Sequence, residues 1–217
     1  MNETAKIYKN VTLGEGVTLH HLCVLGMPPR RRVDGELPLV IGDGAIIRAF
    51  TTIYSGNTIG ARFQTGQCVS IREDNLIGDD VSIGTNSVVE FGNRIGNRVR
   101  IHSNCFLEMV TIGDDVFIGP HVVFVDDPHP MNCEKYLECR GGPVIEDLVR
   151  IGSNSTIMPG VRIGRNSLVG AGSLVIADVP PNSVVAGHPA RVIKQIDDLK
   201  CCKGFYEKPY SWPPYKK

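Results

Sequence analysis

The side chain best suited to proton transfer is His129, in the run Asp126-Asp127-Pro128-His129-Pro130. Proline fixes φ and stiffens the turn, so an imidazole there is held away from the chain, and its ordinary pKa near 6.5 suits a general base. A loop histidine that merely meets water has the same local sequence. His102 and His121 stand where neighbouring segments carry glycine or asparagine, whereas His20, His21 and His188 read as surface residues. Cys133 and Cys139 share the His129 segment, but their spacing is that of no known zinc motif, and no metal is expected. Cys23 and Cys105 read as ordinary buried thiols. Seven irregularly spaced cysteines without CxxC pairs make neither a disulfide framework nor a zinc ribbon.

The elements that carry these residues are set by a repeat. From Ile41 an aliphatic or small residue recurs at every sixth position through Ile47, Ile53, Ile59, Thr65, Ile71, Ile77, Ile83, Val89, Ile95, Ile101 and Leu107. One residue is then lost, and the series resumes at Ile112 and Ile118 and again from Ile145 to Val175. Ile7, Leu13 and Leu19 form an earlier set, for 23 units in all. Two positions before each aliphatic stands a second small or aliphatic residue, such as Val81, Ser87, Cys105 or Ser155, which shares its face on a strand of period two. Between units sits a residue that tolerates positive φ, such as Asp80, Asn86, Gly92, Asn104, Asn154 or Gly172. Each hexad is therefore a short strand and a turn. One such strand cannot bury its face, so the units must coil and stack, which excludes a helix-rich enzyme or a doubly wound sheet.

Two segments break the pattern: residues 26–40, with Pro28, Pro29 and the Arg30-Arg31-Arg32 run, and residues 125–144, which contain His129. Both are expected to project as loops. The repeat ends near residue 194, and residues 195–217 form an extension carrying five of the 14 aromatics, expected to dock on the coil or on a neighbouring subunit. With 23 basic and 23 acidic residues the formal net charge is zero, and no nucleic-acid partner is expected. No apolar run approaches the roughly 18 residues of a membrane span, so no membrane partner is expected. The start of the sequence lacks the basic and apolar stretches of a secretory signal, which makes a cytoplasmic protein the expectation.

The hexads, with Gly142-Pro143-Val144-Ile145, Pro159-Gly160-Val161-Arg162-Ile163-Gly164, Gly170-Ala171-Gly172-Ser173 and Gly187-His188-Pro189-Ala190-Arg191-Val192-Ile193, resemble the bacterial hexapeptide-repeat acyltransferases. The resemblance covers roughly residues 7–194. It implies an all-β fold, a left-handed parallel β-helix with three hexads per coil, and an acetyl-CoA-dependent homotrimer whose site lies between subunits. Sugar and small-molecule O-acetyltransferases of this family carry a His-Pro pair whose histidine is the general base, and His129-Pro130 matches it. The stretch Val116-Phe117-Ile118-Gly119-Pro120-His121-Val122-Val123-Phe124, with Asp127 beyond it, is more similar to the sugar-nucleotide N-acetyltransferases, in which an asparagine matching Asn104 lies near the reacting amine.

Three hexads per coil stack positions 18 apart. The column after one strand series reads Tyr54, Arg72, Glu90, Glu108 and Val125, while its sisters are mostly glycine. This column leads into the second loop, so Asp126, Asp127 and His129 are expected to overhang it, close to His102 and Asn104. A ladder of surface ion pairs is the alternative. The expected activity is acetyl transfer to the amino group of a sugar, one linked to a nucleotide, with His129 and Asn104 catalytic. Arg72, Glu90, His102, Glu108, Asp126 and Asp127 are the expected acceptor-binding residues. The family places the donor along the C-terminal coils, where Ala171 and Ser173 would offer backbone to the pantetheine and Arg191 and Lys194 would face phosphates. The alternatives are an O-acetyltransferase acting on a sugar or other small alcohol and a non-catalytic scaffold.

Overall fold

The computed structural model describes residues 5–129 and 133–215. Among the described residues short strands follow one another around three sheets of 9, 8 and 10 strands, parallel except for the last pair of the third, so that each strand before that pair bonds to those one coil above and below rather than to its sequence neighbours. The three sheets are called here wall 1 (the series starting at Lys6–Ile7), wall 2 (from Val11–Leu13) and wall 3 (from Thr18–Leu19). The chain turns from wall 1 to wall 2 at a first corner, from 2 to 3 at a second, and from 3 back to 1 at a third.

Pairing registers follow the sequence spacing. Ser70 faces Val88 and Ile71 faces Val89, 18 residues on, whereas Phe106 faces Val123 across the lost residue. Phe117 faces Arg150, 33 residues away, because the second loop is extruded without disturbing the stack. The sixth-position residues, among them Ile53, Ile71, Ile83 and Leu107, are buried along the axis, where apolar area removed from water at about 25 cal/mol per Å² supplies the main stabilisation. Two further strands carry the same pattern, with Leu25 and Phe124 fully buried, so the hexad series runs into the starts of both loops. Thr65 is tolerated in the core because its Oγ1 accepts the Arg48 backbone N–H at 2.9 Å.

The corner residues Asp80, Asn86, Asn104, Asn154 and Asn166 all have φ between 57° and 60°. Phe50 and Leu148 are forced into the same conformation at φ 63° and 61°, a cost that the stacked coils on either side must offset.

The first loop is shorter than its expected 26–40 span, because the strands Val24–Met27 and Leu39–Ile41 enter it from both sides. Gly26, at φ +76°, provides a bulge that lets wall 1 continue to Met27. The second loop leaves wall 1 after Val123–Phe124, contains a helical turn at Tyr136–Cys139, and rejoins at Val144–Ile145. Wall 3 ends in one antiparallel pair, Ser183–Gly187 with Ala190–Gln195, and the aromatic extension then folds back over wall 3. Among the described residues no helix is long and apolar enough to cross a membrane.

Candidate active site

Two ladders hold the corners, one of buried asparagines and one of carboxylates and an asparagine nearer the surface. At the first corner Asn57, Asn75 and Asn93 stack inside the coil, each Oδ1 accepting the backbone N–H one coil on, at 2.9, 2.9 and 3.0 Å, the last from Val110. Their Nδ2 groups donate to the carbonyls of Tyr54, Arg72 and Glu90, fixing the backbone of the polar column from behind. At the second corner Asp79, Asn97, Asp114 and Asp147 form a ladder of the opposite sense near the surface, each Oδ1 accepting a backbone N–H from one coil back, those of Ala61, Asp79, Asn97 and Asp114. Sequence reading missed the inner ladder, although three asparagines 18 residues apart were visible in it.

On this support Arg72 reaches Glu90 at 3.2 Å, grips Glu73 through two bonds of 2.9 Å, and lies over the Tyr54 ring. Part of the column is thus an ion-pair ladder. Glu108, the next step, has no such partner among the described residues. Burial, followed by the nearby negative charges of Asp126 and Glu90, pushes its carboxyl up to about 6, against the opposing pull of Arg140 and Arg72. The second loop supplies both Asp126, which is 7% exposed, and Arg140, whose guanidinium lies over Phe91 and Tyr136. The Asp126 carbonyl accepts the Gly141 N–H at 2.7 Å, closing the base of the loop. His129 is exposed, and its backbone N–H donates to Asp127 Oδ1 at 2.8 Å. Pro130, part of the expected stiffened turn, lies outside the described residues.

His102 and Asn104 belong to a different edge. His102 lies on wall 3 against Phe117, ring centroids 5.1 Å apart, and burial followed by the charge of Arg100 lowers its pKa. It lines an open polar groove of about 410 Å³ together with Arg48, Gln67, Thr85 and Arg100. Asn104 stands at the third corner, its Nδ2 3.5 Å from His121 Nε2. About four extended residues, roughly 13 Å of wall 1, separate this corner from Glu108. The loop that carries His129 leaves wall 1 at the end opposite the Asn104 corner, beside Glu108.

Ala171 also occupies the third corner and lines a mainly apolar cavity of about 380 Å³ with Phe117, Gly152, Gly170, Tyr210 and Tyr215. Ser173 does not fit the role expected for it. Its carbonyl accepts Thr156 N–H at 2.9 Å, its N–H meets Ser155 Oγ at 3.4 Å, and its hydroxyl donates to Gly170 O, so its backbone is engaged inside the coil. Arg191 and Lys194 are exposed on the last strand, and a register shift between Val184 and Val185 pairs them with Ala186 and Val184. Those partners are two apart on one strand, so the bulge turns both cations to a single face.

Arg150 is the site residue the repeat hid, since its outward hexad position usually meets water. It is only 4% exposed, its Nη2 donates to the Asn166 carbonyl at 2.6 Å, and the Tyr210 and Tyr215 rings lie 3.9 and 4.8 Å from its guanidinium carbon. The extension thus docks on its own coil through cation–π contacts.

A three-walled coil of stacked hexads is the architecture of the hexapeptide-repeat transferases. The model of the bacterial transferase hexapeptide (six repeats) matches residues 142–177, and that of the hexapeptide repeat of succinyl-transferase matches residues 75–108. A hexapeptide-repeat acetyltransferase from Vibrio cholerae O1 biovar eltor, solved in complex with acetyl coenzyme A, is 36% identical over 55% of this chain and 72% of its own, with a TM-score of 0.44. The chain belongs to the hexapeptide-repeat transferase family. Galactoside O-acetyltransferase of Escherichia coli (strain K12) is 48% identical over 105 residues, 47% of this chain and 51% of that protein. The chain spans about half the length of the curated relatives it matches first. UDP-N-acetylglucosamine acyltransferase from Campylobacter jejuni, 16% identical, superposes with a TM-score of 0.71 over 88% of this chain and 73% of its own, and the shared fold is the left-handed β-helix.

Proposed function

We propose that the protein transfers an acetyl group from acetyl-CoA to a hydroxyl of a sugar, within a homotrimer whose active sites lie between neighbouring copies. The observation that carries this is the 48% identity over 105 residues to a galactoside O-acetyltransferase. In the reaction the acceptor oxygen attacks the thioester carbonyl, His129 takes the hydroxyl proton, and the C–S bond breaks as that proton passes to the leaving thiolate. Glu90, Glu108, Asp126 and Asp127 offer acceptors for further sugar hydroxyls, with Arg72 as a donor. Ala171 borders the pantetheine, while Arg191 and Lys194 meet the phosphates as charge-assisted donors. No covalent enzyme intermediate is needed, because holding both substrates in one groove supplies the proximity. The rooting of the His129 loop at the end of wall 1 away from the third corner supports the trimer: a groove using both edges would take the histidine from one copy and the corner from the next.

An amino-sugar acceptor is the second reading, favoured by the similarity of residues 116–124 to sugar-nucleotide N-acetyltransferases and by the Asn104–His121 pair on the third corner. The two readings part at His129→Ala, assayed with acetyl-CoA against galactosides and against free and nucleotide-linked amino sugars. A hydroxyl acceptor predicts a fall of about 10²–10⁴ in turnover that raising the pH does not restore. An amine predicts a loss nearer tenfold, largely restored at higher pH, with Asn104→Ala the more damaging variant. Absence of saturable acetyl-CoA binding would refute both and leave a scaffold.

A further inference from the structure

The second loop gathers three donor atoms that the acetyl-transfer reading leaves partly unexplained. An imidazole nitrogen of His129 and the thiol sulfurs of Cys133 and Cys139 lie within 4.8 Å of one another. Their spacing, His-x3-Cys-x5-Cys, gives no sequence signal; the fold of the loop brings them together. Tyr136 N–H donates to Cys133 O and Cys139 N–H to Lys135 O, both at 3.0 Å, so the turn at Tyr136–Cys139 folds Cys139 back towards Cys133. His129 and Cys139 are exposed and Cys133 is half-buried, which leaves the cluster open to an ion from solvent.

Two sulfurs and one nitrogen form a soft donor set, unsuited to Mg²⁺ or Ca²⁺, which take oxygen ligands, and matched to Zn²⁺ and its neighbours. Tetrahedral zinc holds sulfur at about 2.3 Å and nitrogen at about 2.0 Å, hence ligand atoms roughly 3.5–3.8 Å apart. The cluster needs to close by about 1 Å, a displacement that small side-chain rotations cover. We propose that His129, Cys133 and Cys139 form a binding site for a thiophilic divalent cation of the Zn²⁺ class, its fourth position open to water or a ligand. Binding joins one cation to a neutral imidazole and two thiols and releases the two thiol protons, with no change of oxidation state, so it strengthens as pH rises. The inference rests on the proposed function in one respect: an imidazole bound to the cation keeps a hydrogen on its other nitrogen and cannot take the acceptor's proton. Occupancy therefore silences turnover.

The test uses the full-length, reduced, chelator-stripped protein and Co²⁺ as the probe. One Co²⁺ per chain is expected, with thiolate-to-cobalt absorption and tetrahedral d–d bands that Zn²⁺ bleaches. Cys133→Ser with Cys139→Ser should abolish these bands without changing the melting temperature of the stripped protein, while Cys201→Ser with Cys202→Ser should leave them intact. No thiolate–cobalt band, or one that survives in the Cys133/Cys139 double variant, overturns the site. Zinc inhibition of acetyl transfer, relieved in that variant, supports both the site and the His129 role. A normal cobalt spectrum with turnover untouched by zinc supports the site and removes His129 as base.

Discussion

Replacing Asn75 by alanine tests whether the inner ladder holds the first corner. Asn75 is fully buried, and its Oδ1 accepts both the Asn93 backbone N–H at 2.9 Å and Asn93 Nδ2 at 2.8 Å. Its Nδ2 donates to Arg72 O at 2.7 Å and Glu73 O at 3.1 Å. Some of these groups keep a partner in the variant: Asn93 Nδ2 still reaches Glu90 O, and Arg72 O still accepts from Asn57. The Asn93 backbone N–H does not, and an orphaned buried donor costs about 1–3 kcal/mol. Adding the lost donor bonds and the small void gives a destabilisation of about 2–4 kcal/mol. Stacked coils need not unfold in one step, so the assay pairs the melting temperature with amide exchange at Asn93, whose protection should fall roughly 30- to 1000-fold. Thr58→Ala, at an exposed strand position on the same coil, should stay within about 0.5 kcal/mol of the parent. Intact Asn93 protection with a stability change below about 0.5 kcal/mol would refute the reasoning, showing that water or a small backbone shift replaces the side chain.

Glu108 makes stability depend on pH. Its folded pKa of about 6 lies above the unfolded value of about 4.3, so the protonated form is favoured by folding. The stability it contributes is complete below about pH 4 and is lost as the pH rises through 6. Glu108→Gln should therefore raise the melting temperature more at about pH 7.5 than at about pH 4, and an advantage equal at both would count against the assignment. Arg191→Ala should weaken acetyl-CoA binding by about 1–3 kcal/mol in a titration with the unreactive acceptor-free protein, and unchanged affinity would take the last strand out of the donor site.

The coil could be read from the sequence because hexad spacing is a local property. Ile71, Ile77 and Ile83 must face one axis whatever else the chain does, and Asp80, Asn86 and Asn104 announce the turns by tolerating positive φ. The stacking interval of 18 then put Arg72, Glu90 and Glu108 in one column without coordinates. Which edge each side chain borders was a different kind of question. Asn104 and Glu108 are four residues apart yet bound opposite ends of a wall, and only the turn positions in space show that a loop leaving after Phe124 stays with Glu108. Nor does spacing reveal what leaves the repeat. Arg150 is buried because a remote extension brings Tyr210 and Tyr215 onto it, and Ser173 is spent inside the coil by Gly170 and Ser155. His129, Cys133 and Cys139 converge through a turn with no periodicity at all. Sequence thus determined the repeating scaffold, whose forces act between neighbours one coil apart, while tertiary structure decided every contact between segments that the repeat does not relate.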